Sequence, residues 1–148
     1  IYPAIFAVVS SILVTTASAQ VQPSQQSLLG AREAHAAAVS GALVLLDIRS
    51  PDEWRETGVP ASGHAITMHQ PQARFLAELA AATGNSKTTP IALICAVGGR
   101  SATLQRWLSQ AGYTAVSDVS EGMIGSTKGP GWIKSGLPTR TWMGRVAP

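Results

Sequence analysis

The sequence predicts an α/β domain, a small three-layer fold whose central, mostly parallel sheet is flanked by helices. Three observations carry that prediction. Ala42 to Ile48 and Ile91 to Ile94 are apolar runs without the alternation of a half-exposed strand, the pattern of strands buried on both faces of a parallel sheet. Segments of helical periodicity lie between such runs, so strands and helices alternate along the chain. The chain has 148 residues, 45% of them apolar, which suits one domain with a substantial core and leaves no room for a second enzyme-sized one.

Residues 1–19 carry no charge, are apolar between Ala4 and Val14 apart from two serines, and end Ala17-Ser18-Ala19. An apolar core closed by small residues at alternate positions reads as a secretory signal peptide, cleaved after Ala19. No basic segment or Met precedes it, so the leader is expected to be truncated at its amino end. A membrane anchor is the other reading, but the core is short and is diluted by Ser10, Ser11, Thr15 and Thr16. The expectation is export, to a bacterial periplasm, with no stable membrane span once the leader is removed. Residues 20–27 read as a polar linker around Pro23, and the folded domain is expected over residues 28–148.

Ala31 to Val39 is an alanine-rich helix with Gly41 at its stop, and His35 reads as a solvated or half-packed helix residue. The strand Ala42 to Ile48 follows, with Asp47 near its end. A carboxylate there is costly to bury unless paired, so Arg49 or loop N–H groups are its expected partners. Ser50-Pro51-Asp52-Glu53 then opens a short helix, with Ser50 as N-cap, Pro51 in the first turn and Glu53 reaching back in a capping box; Gly58 and Pro60 end it. Ala65 to Met68 is a candidate third strand flanked by His64 and His69. No third ligand stands near enough in sequence for a metal site, so both histidines read as loop residues and no metal is expected. Pro71 to Ala82 is a helix with Phe75, Leu76 and Leu79 on one face, closed by Gly84.

Beyond the strand Ile91 to Ile94 and the segment Cys95 to Ser101, the residues Leu104, Trp107, Leu108 and Ala111 recur at helical spacing, leaving Arg106, Ser109 and Gln110 to water. Gly112 ends that helix, Tyr113 to Val119 reads as a strand, and Glu121-Gly122-Met123 turns out of it. The remainder is rich in Gly and Pro and reads as irregular, with Trp132 and Trp142 covering a core edge rather than forming a site. The net charge of +3 comes from scattered Lys and Arg residues, which argues against a nucleic-acid footprint. The single cysteine excludes an internal disulfide and a multi-cysteine zinc site.

That cysteine is the candidate reactive group. In Cys95-Ala96-Val97-Gly98-Gly99-Arg100-Ser101 it stands between the end of a strand and the start of a helix. Free amides of the first helical turn and of the loop would face the sulfur, and the helix dipole adds positive potential, which together favour the thiolate. Gly98 and Gly99 allow the backbone a close approach. Arg100 either orients an anionic substrate or braces the loop. Asp47 and Arg49 are assigned to structural support. The alternative is a small buried hydrophobe at a strand end.

Several segments, taken together and in order from about Leu28 to Pro138, resemble the rhodanese-like sulfurtransferase family. They are Leu45-Leu46-Asp47-Ile48-Arg49 with Pro51-Asp52-Glu53-Trp54, Ile94 to Ser101, Leu108 with Ala111-Gly112-Tyr113, Val119 to Met123, and Gly136-Leu137-Pro138. The resemblance implies that Cys95 takes a sulfane sulfur from a donor, holds it as a persulfide among the amides of residues 96–101, and passes it to a thiophilic acceptor, with no metal or organic cofactor. Cys95 to Arg100 is a six-residue loop, the size found in the sulfurtransferases; one residue more is typical of the related phosphatases and arsenate reductases. The family's usual Gly-His-Ile-Pro-Gly-Ala segment is replaced by Gly58-Val59-Pro60-Ala61-Ser62-Gly63-His64-Ala65, and Ala96 and Val97 are apolar where some members carry basic or polar residues.

The expected donor is thiosulfate, a persulfide or a polysulfide, with the apolar Ala96 and Val97 disfavouring thiosulfate; the acceptor is a thiol or cyanide, and a protein donor or acceptor is open. The alternatives are a non-enzymatic binding or redox-sensing domain and, further off, an arsenate reductase or phosphatase-like enzyme.

Overall fold

The structure, a computed structural model, describes residues 27–144. The expected leader and all of the expected linker but Ser27 lie outside the described residues. The strands are β1 (Ser27–Leu29), β2 (Val44–Asp47), β3 (Val59–Pro60), β4 (Gly63–Ala65), β5 (Ile91–Ile94), β6 (Val116–Val119) and β7 (Thr139–Arg140). The helices are α1 (Ala31–Val39), α2 (Pro51–Thr57), α3 (Gln72–Thr83), α4 (Gly99–Gln110) and α5 (Gly131–Lys134). Five strands form one parallel sheet in the order β1-β6-β5-β2-β4, while β3 and β7 form a small antiparallel pair.

The apolar runs are continuous because both faces of the central strands are covered. Leu46, Ile48, Leu93 and Val116 face α3 and α4, packing on Phe75, Leu79, Leu104 and Leu108. Leu45, Ala92, Ile94 and Val119 face the other way, onto Ala31 and Ala34 of α1 and Trp132 of α5. Each such side chain, if fully buried, contributes roughly 1.5–3 kcal/mol of transfer free energy. No described helix is long and apolar enough to cross a membrane.

Ser27, the last residue of the expected linker, is the first residue of β1, in register with Ser117 of β6. Three expectations are corrected. The third strand is Gly63–Ala65 rather than Ala65 to Met68, which places His64 within the strand opposite Leu46. Beyond it the Ile66 and Met68 amides still donate to Asp47 and Ile48 carbonyls, so the apolar residues that suggested a strand extend the pairing irregularly. Tyr113 lies before β6, in a turn closed by its N–H on the Leu108 carbonyl. Trp132, expected at a core edge, is fully buried on the one-turn helix α5, its indole N–H donating to the Pro138 carbonyl at 3.1 Å. Trp142 does cover an edge, tilted against Trp54 at 5.2 Å.

Candidate active site

Cys95 follows β5 directly, at the carboxyl end of the sheet, where ligands of parallel α/β sheets bind. It is 1% exposed. The Gly98 amide donates to its Sγ at 3.1 Å, and the Ser101 Oγ lies 3.3 Å away on the other flank. The Ser101 hydroxyl also donates to the Gly98 carbonyl at 3.2 Å, closing a small ring beneath the start of α4. Twelve residues of helix begin at Gly99, so the dipole of a full-length helix adds positive potential there.

The loop is held by backbone. Met123 N donates to Cys95 O at 2.8 Å and Ile124 N to Ala96 O at 3.0 Å, so the segment after β6 runs against the loop as a rail. Gly122 has φ +69°, and a Cβ there would fall 2.2 Å from the Ala96 carbonyl oxygen. Gly98 has φ +91°, and a Cβ there would lie 2.5 Å from Ser120 O. Both contacts require glycine. The side chains of Ala96 and Val97 have no comparable role: Ala96 is half-buried and Val97 at the crest is 53% exposed.

Arg100 is engaged by side chains outside the loop. Its Nη2 donates to Glu53 Oε1 at 2.6 Å and its Nη1 to Glu53 Oε2 at 2.8 Å, and Nη1 also donates to His69 Nε2 at 3.1 Å. The contact with Glu53 ties the first turn of α4 to that of α2. The Arg100 hydrogen bonds, opposed by partial burial and assisted by Ser50, hold the Glu53 carboxyl well below its ordinary 4.5, at about 2. Glu53 raises the Arg100 guanidinium in return, chiefly through the same hydrogen bonds, with a smaller contribution from the charge of Cys95.

Asp47 and Arg49 form a buried pair, Arg49 Nη2 donating to Asp47 Oδ2 at 2.7 Å and Nε to Oδ1 at 3.0 Å. Arg49 also reaches Thr57 Oγ1 and the Gly58 carbonyl, so the pair locks the end of β2 to the end of α2. Among the described residues, no group of three His, Cys, Asp or Glu side chains is placed to hold a metal ion.

Residues 30–125 match the family model for the rhodanese-like domain. The chain belongs to the rhodanese-like domain family. An uncharacterized protein of Rickettsia prowazekii (strain Madrid E) is 24% identical over 98 residues, which are 64% of this chain and 80% of that protein. The fold is similar to that of a protein of unknown function, a possible tyrosine phosphatase, from Rhodopseudomonas palustris. That match has a TM-score of 0.59 at 23% identity and covers 78% of this chain and 85% of the other. It is also similar to the polysulfide-sulfur transferase homodimer of Wolinella succinogenes, with a TM-score of 0.56 at 20% identity, covering 82% and 83% of the two chains.

Three groups of this rhodanese-like domain escape a reading of the sequence. Glu53 shows there only as the capping-box residue, which it is, accepting from Ser50 N at 3.0 Å; its partner Arg100 is 47 positions away. Glu121, read as part of a turn, accepts from Ala31 N at 3.1 Å and Gly131 N at 2.9 Å, and so caps α1 from outside. Asp118 lies in a strand whose alternation suggests no burial preference for it, yet it is 2% exposed.

Proposed function

We propose that this rhodanese-like domain is a sulfurtransferase with Cys95 as nucleophile and sulfur carrier. The observation that supports it most is the sulfur seated between the Gly98 amide and the Ser101 hydroxyl, at the foot of a six-residue loop that opens α4. Donors there stabilise an anionic sulfur, both thiolate and persulfide. The Cys95 thiolate attacks the terminal sulfur of a donor R–S–SH. A new S–S bond forms on Cys95, the donor S–S bond breaks, and its electron pair leaves with RS⁻. An acceptor thiolate or cyanide then attacks the outer sulfur, the Cys95 S–S bond breaks, and the electron pair returns to Cys95 as thiolate. No oxidant or cofactor enters this balance.

The donor that suits the site is a persulfide or polysulfide. Arg100, the one cation within the loop, is neutralised by Glu53, and the crest is the apolar Val97, so a dianion such as thiosulfate finds no free positive side chain on the loop. A second reading, a binding or redox-sensing domain, is favoured by the 1% exposure of Cys95.

Intact mass of the domain after incubation with polysulfide, and separately with thiosulfate, tests both. The expected result is gain of one sulfur from polysulfide, loss of it as thiocyanate on adding cyanide, and no gain in Cys95→Ser. A sulfur retained against cyanide and thiols alike favours the sensing domain. No gain from either donor refutes the sulfurtransferase.

A further inference from the structure

The loop that carries Cys95 is ringed by apolar side chains open to solvent. Among the described residues six large apolar side chains are substantially exposed, and three of them, Leu28, Val97 and Ile124, at 58%, 53% and 49%, stand around this one loop. Val97 is the crest itself. Ile124 lies beside it, because its N–H donates to the Ala96 carbonyl at 3.0 Å. Leu28, on the edge strand β1, shares with Val97, Gly98 and Ala102 the lining of a cavity of about 320 Å³. Single exposed apolar residues are ordinary on a protein surface, but a group gathered at one place marks a contact site.

The free charges around this patch have one sign. Lys128 lines the same cavity and is exposed, with no ion pair among the described residues. Arg106 stands one turn along α4 from Ala102, hence on the same side of the helix, and its Nη2 donates to Thr103 Oγ1 at 3.2 Å, a contact that leaves its charge unpaired. The carboxylates nearby are otherwise engaged. Glu53 is paired with Arg100, Glu121 accepts from the Ala31 and Gly131 amides, and Asp118 is buried. The face is an apolar centre with a cationic rim.

The Cys95 sulfur lies buried beneath this face, held by the amide of Gly98, the residue directly after the crest. A small thiol covers one of the three apolar side chains at most. Burying all three, which come from β1, the loop and the segment after β6, takes a polypeptide surface. The cationic rim selects an acidic one and speeds its encounter.

We propose that this face docks an acidic protein acceptor, which presents a cysteine set between apolar residues to the Cys95 persulfide. The inference rests on the sulfurtransferase reading and names the class of its acceptor. The acceptor thiolate attacks the outer sulfur of the Cys95 persulfide. The Cys95 S–S bond breaks, its electron pair returns to Cys95 as thiolate, and the acceptor leaves with the sulfur as its own persulfide. Val97, Leu28 and Ile124 meet the apolar residues of the acceptor, and Lys128 and Arg106 meet its carboxylates.

The probes are three peptides, blocked at both ends, with the cores Asp-Leu-Cys-Leu-Asp, Lys-Leu-Cys-Leu-Lys and Asp-Ser-Cys-Ser-Asp. The protein is loaded from polysulfide and freed of donor, and its loss of sulfur to each peptide is followed by intact mass. Each rate is divided by the same peptide's rate with dithiodipyridine, a neutral disulfide, which removes differences in thiol reactivity. The Asp-Leu peptide is expected to react about tenfold faster than the Lys-Leu peptide at low salt, the two converging at about 1 M salt. It should also outpace the Asp-Ser peptide. Lys128→Glu with Arg106→Glu should invert the first ratio, and Val97→Ser with Ile124→Ser should abolish the second. Ratios that neither pair of substitutions moves overturn the proposal. If a variant shows no cooperative melting transition, the wild type decides: a first ratio that falls with salt supports the docking face, and one that salt leaves unmoved refutes it. A wild type that takes up no sulfur from polysulfide refutes the sulfurtransferase and with it the acceptor, whereas a loaded wild type that discharges equally to all three peptides refutes the acceptor alone. A dimer in sedimentation that Val97→Ser with Ile124→Ser dissociates assigns the face to a second copy of the chain and likewise overturns the proposal.

Discussion

Replacing Glu53 with Gln removes the charge that holds Arg100 while leaving a side chain able to accept from Ser50. Glu53 meets Arg100 through two charge-assisted hydrogen bonds at 2.6 and 2.8 Å, with the side chains 28% and 32% exposed. Depression of the carboxyl from 4.5 to about 2 corresponds, undiscounted, to about 3 kcal/mol. Solvent screening of a pair this exposed reduces that to about 2 kcal/mol, above the usual worth of a fully exposed pair. For a chain of this length the loss lowers the melting temperature by about 8 °C at neutral pH. Because the folded-state value lies below the unfolded one, the stabilisation is fully present above 4.5 and disappears as pH falls toward about 2. Urea unfolding followed by tryptophan fluorescence, at neutral pH and through the acid range, measures both. A Glu53→Gln variant within about 0.5 kcal/mol of wild type at neutral pH, or a difference that persists unchanged at the acid end, refutes the reasoning.

The same substitution releases the Arg100 guanidinium beside the loop, so sulfur loading from thiosulfate, read by intact mass, should rise relative to loading from polysulfide. Gly122→Ala places a Cβ 2.2 Å from Ala96 O at φ +69°; loss of sulfur uptake together with destabilisation of at least about 3 kcal/mol in urea is expected. Arg49→Met leaves Asp47 buried without its partner, at a cost of about 3–5 kcal/mol, and adding Asp47→Asn should recover part of it in the same assay. Trp132→Ala empties a fully buried site and removes one of the two hydrogen bonds to the Pro138 carbonyl, with an expected loss of about 3–5 kcal/mol by thermal melting.

The sequence is most legible where one physical constraint acts locally. The buried central strands announce themselves as the apolar runs Ala42 to Ile48, within which β2 lies, and Ile91 to Ile94 because both of their faces must be covered, and α2 because its capping box lies within four consecutive residues. The edge strand β1 is three residues long and largely exposed, and β3 and β7 have two residues each, too short for any period to register. Trp132 looked like an edge residue because α5 is a single turn amid Gly and Pro. At the site, the position of Cys95 between strand and helix could be read from neighbours in sequence. The partners of Arg100, Glu53 at 47 positions and His69 at 31, depend on how the sheet brings the start of α2 and the loop before α3 beside the start of α4, which no local pattern encodes.

The rail of backbone bonds from Met123 and Ile124 to the loop separates shape from composition. The curve that cradles the sulfur is drawn by main-chain atoms and by Gly98 and Gly122, so the side chains at positions 96 and 97 contribute nothing to it. Those two positions are therefore interchangeable panels on a fixed frame: a lysine or a serine there changes the charge and polarity of the loop's crest while the backbone bonds that shape it remain. The fold and the chemistry at this loop are thus set by different atoms, the first by main chain and glycine, the second by what positions 96 and 97 present.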